Sequence, residues 1–224
     1  MRKYAYVLML IFVLGLFVAC DYTLDGDVVQ VGDTVRFGNH SWLVLSVCDN
    51  NTALLITENI VAVNAFHGTW DLDITWEKSD LRTYLNSTFL YTFSQDELTR
   101  ILPQEIHTPN NKWYGTRGGN DTTDYLFLLS IEEVVRYFGD SGQLSNPAPP
   151  QYGIRQWSLS DEYNSARITA DENGTVGRWW LRSPGFDYDF IAFIMEDGSI
   201  RIDGGNATLD EGGIRPSLLL DLSR

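Results

Sequence analysis

The chain is poor in cysteine, histidine and lysine, and each shortage excludes a class of chemistry. With 2 cysteines in 224 residues there is no disulfide framework to hold a small fold together, so stability has to come from packing. The 3 histidines, His40, His67 and His107, stand far apart, and no HxxxH or CxxC spacing occurs, which removes the usual transition-metal arrangements. Lysine occurs 3 times; with the arginines it makes 16 cations against 30 acids and a formal charge of −14. A domain this acidic repels phosphate backbones, so nucleic acid is not read as a partner. There is no internal repeat, no low-complexity tract and no composition break, and 44% hydrophobic residues are enough for one sizeable core.

The N-terminus carries the one long apolar run. Arg2 and Lys3 precede an apolar stretch over 4–18, which ends in Phe17-Val18-Ala19-Cys20. The run is shorter than the roughly 20 residues needed to cross a bilayer, and a small residue directly before a cysteine suits cleavage at a lipid-modified Cys20. This predicts a lipoprotein signal peptide over 1–19, a lipidated tether over 20–27 and a folded domain over 28–224. The partner at the membrane is then lipid on Cys20, and the domain is extracytoplasmic, anchored to a bacterial cell membrane. Cys48 remains as the other thiol, in the apolar stretch Leu45–Cys48, where a buried, inert thiol is expected.

Along the domain, Val28–Phe37, Trp42–Val47 and Ala53–Ile60 read as an antiparallel meander broken by Gly32-Asp33 and Asp49-Asn50-Asn51. Ser79 ahead of Leu81, Tyr84 and Leu85 opens one short helix, and Ser94-Gln95-Asp96-Glu97 is a capping box for a second. Ser130-Ile131-Glu132-Glu133 caps a third, after an apolar strand at Tyr125–Leu129, with Gly139 as its stop. Residues 139–178 are polar and loop-like. β-structure returns at Trp179–Arg182, in a hairpin Phe190–Met195 to Ser199–Asp203, and in a last strand Ile214–Leu222. The fold class predicted is a single α+β domain with antiparallel sheets, about three short helices and long loops.

Several of these blocks resemble one bacterial family, the domain of unknown function 6273. They are Gly32–Gly38 with Trp42–Leu45, Ala53–Thr57, Trp76 with Ser79–Asn86, Phe127–Ser130 with Glu133, Trp179–Gly185, and Gly213–Leu218. The resemblance spans about 28–222 in order. The closing arrangement, a Trp-Trp-Leu-Arg-Ser strand, a hairpin with Asp197-Gly198 and an Ile-Arg-Pro strand, also resembles the end of C-type-lectin-like domains. That likeness implies a compact domain whose termini meet in one sheet while long loops project from one end; it carries no activity with it.

Catalytic residues are not read from this chain. Gly139-Asp140-Ser141-Gly142 with His67 upstream is similar to a serine-protease motif, but Gln143 replaces the next glycine, and Gly139 is explained as a helix stop. Calcium would find oxygen ligands at Asp71 and Asp73, at Asp171 to Asn173, at Asp187 and Asp189, and at Asp203 with Asn206, yet no calcium motif is present and no cofactor is assigned. Trp70, Trp113, Tyr114, Trp157 and Tyr163 sit among polar loop residues and are the candidate ligand surface. Trp179 and Trp180, with Trp42 and Trp76, are expected in the core. Arg82, Arg182 and Arg215 are expected to be structural, their planar forks bonded to carboxylates or strand carbonyls. The function expected is a binding module for a glycan or a surface protein. The alternatives are an assembly component of a surface complex and an enzyme of unrecognised type.

Overall fold

The computed structural model describes residues 23–24, 27–48, 50–145, 147 and 157–223. The expected signal peptide and Cys20 lie outside these residues. Thr23–Leu24 (β1) and Asp27–Val28 (β2) pair as a short hairpin, so structure begins inside the stretch expected to be a tether. Leu24 and Val29 are buried there.

Thr34–Phe37 (β3), His40–Cys48 (β4) and Thr52–Thr57 (β5) form the expected meander. Gly38 turns the first hairpin with φ +58°, and a Cβ at that position would stand 2.8 Å from the Phe93 ring, so both backbone and space require glycine. Ala62–Asn64 (β6) follows. Ser79 then accepts the Arg82 N–H and opens Asp80–Tyr84 (α1), which runs on into a π turn at Leu85–Phe89 and a 3-10 turn at Leu90–Thr92. The Ser94–Glu97 capping box starts Gln95–Leu98 (α2).

Ile101–Leu102 (β7), Gln104–Ile106 (β8) and Thr122–Asp124 (β9) are short strands. The apolar run Tyr125–Leu129 is a correction to the expected strand: only Phe127 makes a bridge, to Ser217. Leu126, Phe127, Leu128 and Leu129 are all buried, so its hydrophobicity reports burial rather than a ladder. Ile131–Phe138 (α3) has the expected reciprocal cap, with Ser130 Oγ accepting from Glu133 N at 3.2 Å and Glu133 Oε2 from Ser130 N at 2.8 Å.

Ser158–Leu159 (β10) and Asn164–Arg167 (α4) interrupt the stretch expected to be loop, bringing the α-helices among the described residues to four. Trp179–Pro184 (β11), Phe190–Ile194 (β12) and Ile200–Asn206 (β13) are the expected hairpin region. The last strand divides in two, Gly212–Ile214 (β14) and Ser217–Asp221 (β15). Pro216, lacking an N–H, stands where the ladder breaks.

That break joins two sheets. The five-stranded sheet has the order β3-β4-β5-β15-β7, and the six-stranded sheet β10-β13-β12-β11-β14-β6. Among the described strands all pairings are antiparallel except β11 with β14, and outside the strands Ile60 makes a parallel bridge to Asp171. The opening meander and the last strand thus share one sheet, as β5 pairs with β15 in continuous register from Ile56↔Ser217 to Thr52↔Asp221. Trp42, Trp76, Trp179 and Trp180 are each at most 1% exposed; at roughly 150–250 Å² buried per ring they anchor the core. The fold is α+β and rich in antiparallel pairing. Among the described residues no helix is long and apolar enough to cross a membrane.

Candidate functional site

The five loop aromatics do not share a surface. Trp70 is 66% and Trp157 52% exposed, and Trp157 lies under the Arg201 guanidinium at 5.1 Å. Tyr163 is half-buried and packs on the backbone at Gly139, where a Cβ would stand 2.2 Å from its ring. Trp113 is buried, a correction to its place in the candidate surface. The cause is Asn111, whose amide donates to Pro184 O at 2.8 Å and Ile202 O at 2.9 Å. Its Oδ1 accepts the N–H of Trp113 at 2.9 Å and of Tyr114 at 3.2 Å. A buried, fully bonded asparagine thus staples the polar loop to the six-stranded sheet and turns Trp113 inward.

Tyr114 does reach a surface, half-buried with its ring edge-on to Phe186 at 6.2 Å. Together with Arg117, Asp187 and Tyr188 these rings line a shallow groove of about 170 Å³. Arg117 also lines a neighbouring hollow of about 90 Å³ with Asp73, Glu77, Lys78 and Asn120. Ile74 N donates to Tyr188 O at 3.1 Å, which fixes the loop carrying Trp70 and Leu72 beside the groove. Asp71 and Asp187 shape this rim locally, each accepting the N–H of the next residue.

The charges at the rim differ in availability. Lys78 is tied to Asp73 at 2.5 Å, and that hydrogen bond holds its ammonium above the usual lysine value. Glu77 accepts from the Asn120 amide at 3.2 Å. Arg117 is exposed and has no hydrogen-bond or ion-pair partner among the described residues. The face therefore offers aromatic edges, carboxylate lone pairs and one available fork of donors. Phe186, Tyr188 and Arg117 carried no signal in local sequence, because the groove forms only when the 111–117 loop meets the 185–189 turn.

The arginines expected to be structural are placed in networks. Arg82 Nε donates to buried Asp124 at 2.7 Å, and Asp124 also accepts from Trp76 Nε1 at 2.8 Å and Thr122 Oγ1 at 2.6 Å. Arg182, 2% exposed, pairs through both Nη atoms with Glu133 and reaches Leu128 O and His107 O. Arg215, 4% exposed, donates to Thr57 O at 2.6 Å and lies over the rings of Trp179 and Phe138. Trp179 and Trp180 are both buried in the core. A further buried ion pair, Arg167 with Asp161 at 2.8 Å, was not visible from spacing.

The alternative chemistries gain no geometry. Ser141 Oγ donates to Asp161 at 3.1 Å rather than to a histidine. Asp171 accepts the N–H groups of Asn173 and Thr175, Asp189 accepts from Asn206, and Asp203 pairs with Arg201; each of these acids is engaged in local structure. No group of three His, Cys, Asp or Glu residues poised to hold a metal occurs among the described residues. Cys48 is free and exposed at the end of β4, a correction to the buried thiol expected. The strand's apolar face ends before it, at Val47.

Comparison with known proteins adds the family. The model of a domain of unknown function, DUF6273, matches residues 50–222. No curated protein and no solved structure matches.

Proposed function

The chain belongs to the DUF6273 family, and we propose that it is a lipid-anchored, extracytoplasmic binding module whose ligand is a glycan. One observation carries this reading: Tyr114, Phe186 and Tyr188 line an open groove together with Arg117 and Asp187, and exposed Trp70 stands on the adjoining loop. Rings that offer a flat apolar face beside polar groups suit a sugar, whose pyranose faces are apolar and whose edges carry hydroxyls. The shallowness of the groove fits an extended oligosaccharide better than a reaction that must exclude water. The C-type-lectin-like resemblance agrees with a loop-borne site. The charged start, the apolar run over 4–18 and Ala19-Cys20 support export and a lipid on Cys20.

The test is a glycan array probed with the full-length chain, followed by titration of the best oligosaccharide against Tyr188→Ala and Trp70→Ala. The expected result is a loss of about tenfold or more in affinity, about 1.4 kcal/mol, with unchanged melting because both rings are exposed. Silence across neutral and amino-sugar oligosaccharides, or equal binding by the variants, would overturn the reading. A second reading, assembly with a surface protein, is favoured by Leu72 at 67% and Leu209 at 82% exposure. Cross-linked partners lost on Leu72→Ser, without any glycan binding, would select it.

A further inference from the structure

A polar pocket of about 220 Å³ opens on the opposite sequence region, between the β3–β4 hairpin and the turn after Thr169. We propose that it binds a small zwitterion of the free amino-acid type, with the ligand carboxylate on Arg36 and its ammonium on Glu172. This goes beyond the glycan reading and does not depend on it.

Arg36 and Glu172 line the same pocket, both exposed. Among the described residues neither has an oppositely charged partner at ion-pair distance. Arg36 makes one hydrogen bond, from Nη1 to Ser41 Oγ at 3.2 Å, which orients the guanidinium and leaves the rest of its donor fork free for a carboxylate. A lone anion entering the pocket meets Glu172, and a lone cation meets Arg36; a molecule with both charges satisfies both walls. The volume is below the roughly 300–1,000 Å³ of pockets for drug-sized ligands, which restricts the occupant to amino-acid size.

The walls are held in place by the fold. Gly38 fixes the hairpin against Phe93. His40, also in the lining, stacks on Phe89 at 5.3 Å and sets its ring edge to Trp42 at 6.3 Å. Burial holds its imidazole below the usual histidine value, with Glu172 pulling it up and Arg36 pushing it down, so at neutral pH it offers a hydrogen bond without adding charge. On the other side, Thr169 Oγ1 donates to Glu58 O at 2.8 Å and Ile60 N to Ala170 O at 2.9 Å. Asp171 Oδ1 then closes the turn on the N–H groups of Asn173 and Thr175, each at 2.9 Å, and this turn presents Glu172. A pocket set before the ligand arrives avoids the ordering cost that weakens binding at mobile loops.

The test is NMR titration of the isotopically labelled full-length chain with glycine, L-serine and L-glutamine. N-acetylglycine (no ammonium), methylamine (no carboxylate) and inorganic phosphate are the controls. The expected result is saturable shifts of the His40 ring and Arg36 Nε signals with the amino acids alone. Arg36→Gln and Glu172→Gln should each weaken binding by about tenfold or more, as expected for losing a hydrogen bond to a charged group, and both should melt like the parent. Tyr188→Ala should bind as the parent does, which separates this site from the aromatic groove. No saturable shift with any amino acid overturns the proposal. So does N-acetylglycine, phosphate or methylamine binding as well as glycine.

Discussion

Arg182 and Arg215 are both buried, but removing them leaves different things behind. Arg182 holds Glu133 through two Nη contacts and satisfies two carbonyls, so Arg182→Met strands a carboxylate and is expected to cost about 3–5 kcal/mol. Arg215 has one carbonyl bond, lies over the Trp179 and Phe138 rings, and leaves Nη1 buried without a partner. Burial pushes its pKa down to about 10, against the attraction of Glu58. Arg215→Met removes a poorly compensated charge and keeps the aliphatic stem, so its cost is expected within about 1.5 kcal/mol. Chemical denaturation of the two variants checks the order, and an equal or larger loss for Arg215→Met contradicts it. Asp161 adds a pH dependence. Burial disfavours its charge, but the Arg167 guanidinium, the Gln143 amide and the Tyr163 N–H outweigh that and hold its carboxyl below the usual carboxylate range. A depressed pKa contributes stability that is present above the unfolded value, about 3.9, and is lost as pH falls through the folded one. Asp161→Asn is therefore expected to melt below the parent at pH 7, with the gap closing as pH drops below about 4; a gap that stays constant across that range would show that the charge is not what Asp161 contributes.

Helix α3 shows how one side chain can serve two elements. Glu133 closes the capping box with Ser130 and also clamps Arg182 on β11, while Ile131 N donates to Ser183 Oγ at 2.9 Å. Ser130→Ala removes the cap alone and should cost about 1 kcal/mol. Glu133→Ala removes cap and counter-ion together and should cost clearly more; comparing the two denaturation midpoints tests this, and near-equal values would mean the ion pair is inert. The capping box was legible in sequence because its signal is local, four residues with a fixed reciprocal geometry. The same holds for Ser79 and Ser94, and for the meander turned by Gly38. Tyr125–Leu129 was misread because the continuous burial of Leu126–Leu129 looks like a central strand when pairing partners are unknown. Ile214–Leu222 was misread because Arg215-Pro216 is too brief a break to show that the chain changes sheets. Trp113 and Tyr114 stood in equally polar company, and what separates them is Asn111, whose bonds to Pro184 and Ile202 lie far away in sequence. The groove proposed as the ligand surface was thus partly legible: Tyr114 lines it and Trp70 is exposed on the adjoining loop, while Phe186, Tyr188 and Arg117 come from segments that only the folded chain brings together.

The two sheets are joined by a double seam. The chain leaves the five-stranded sheet at Thr57, enters the six-stranded sheet at Ala62, and makes the reverse crossing from Ile214 to Ser217. The crossings run side by side and are bonded to each other: Thr57 N to Pro216 O, Val61 N to Ile214 O, and Arg215 Nε to Thr57 O. Arg215 sits at this seam, which explains how a nearly unpaired cation comes to be buried. It bridges the end of β5 to the Trp179 ring of the neighbouring sheet. Because β15 lies between β5 and β7, opening either crossing removes an inner strand from the five-stranded sheet and an edge pair from the other. Neither sheet can then release its core surface alone, and the molecule is expected to unfold as one cooperative unit. Native-state hydrogen exchange tests this at the amides of β4 and β5 on one side and of β12 and β13 on the other. Their opening free energies should rise to the same ceiling and fall together in Arg182→Met. A six-stranded sheet that stays protected while β4 and β5 exchange would show that the seam is a linker between two independently stable layers.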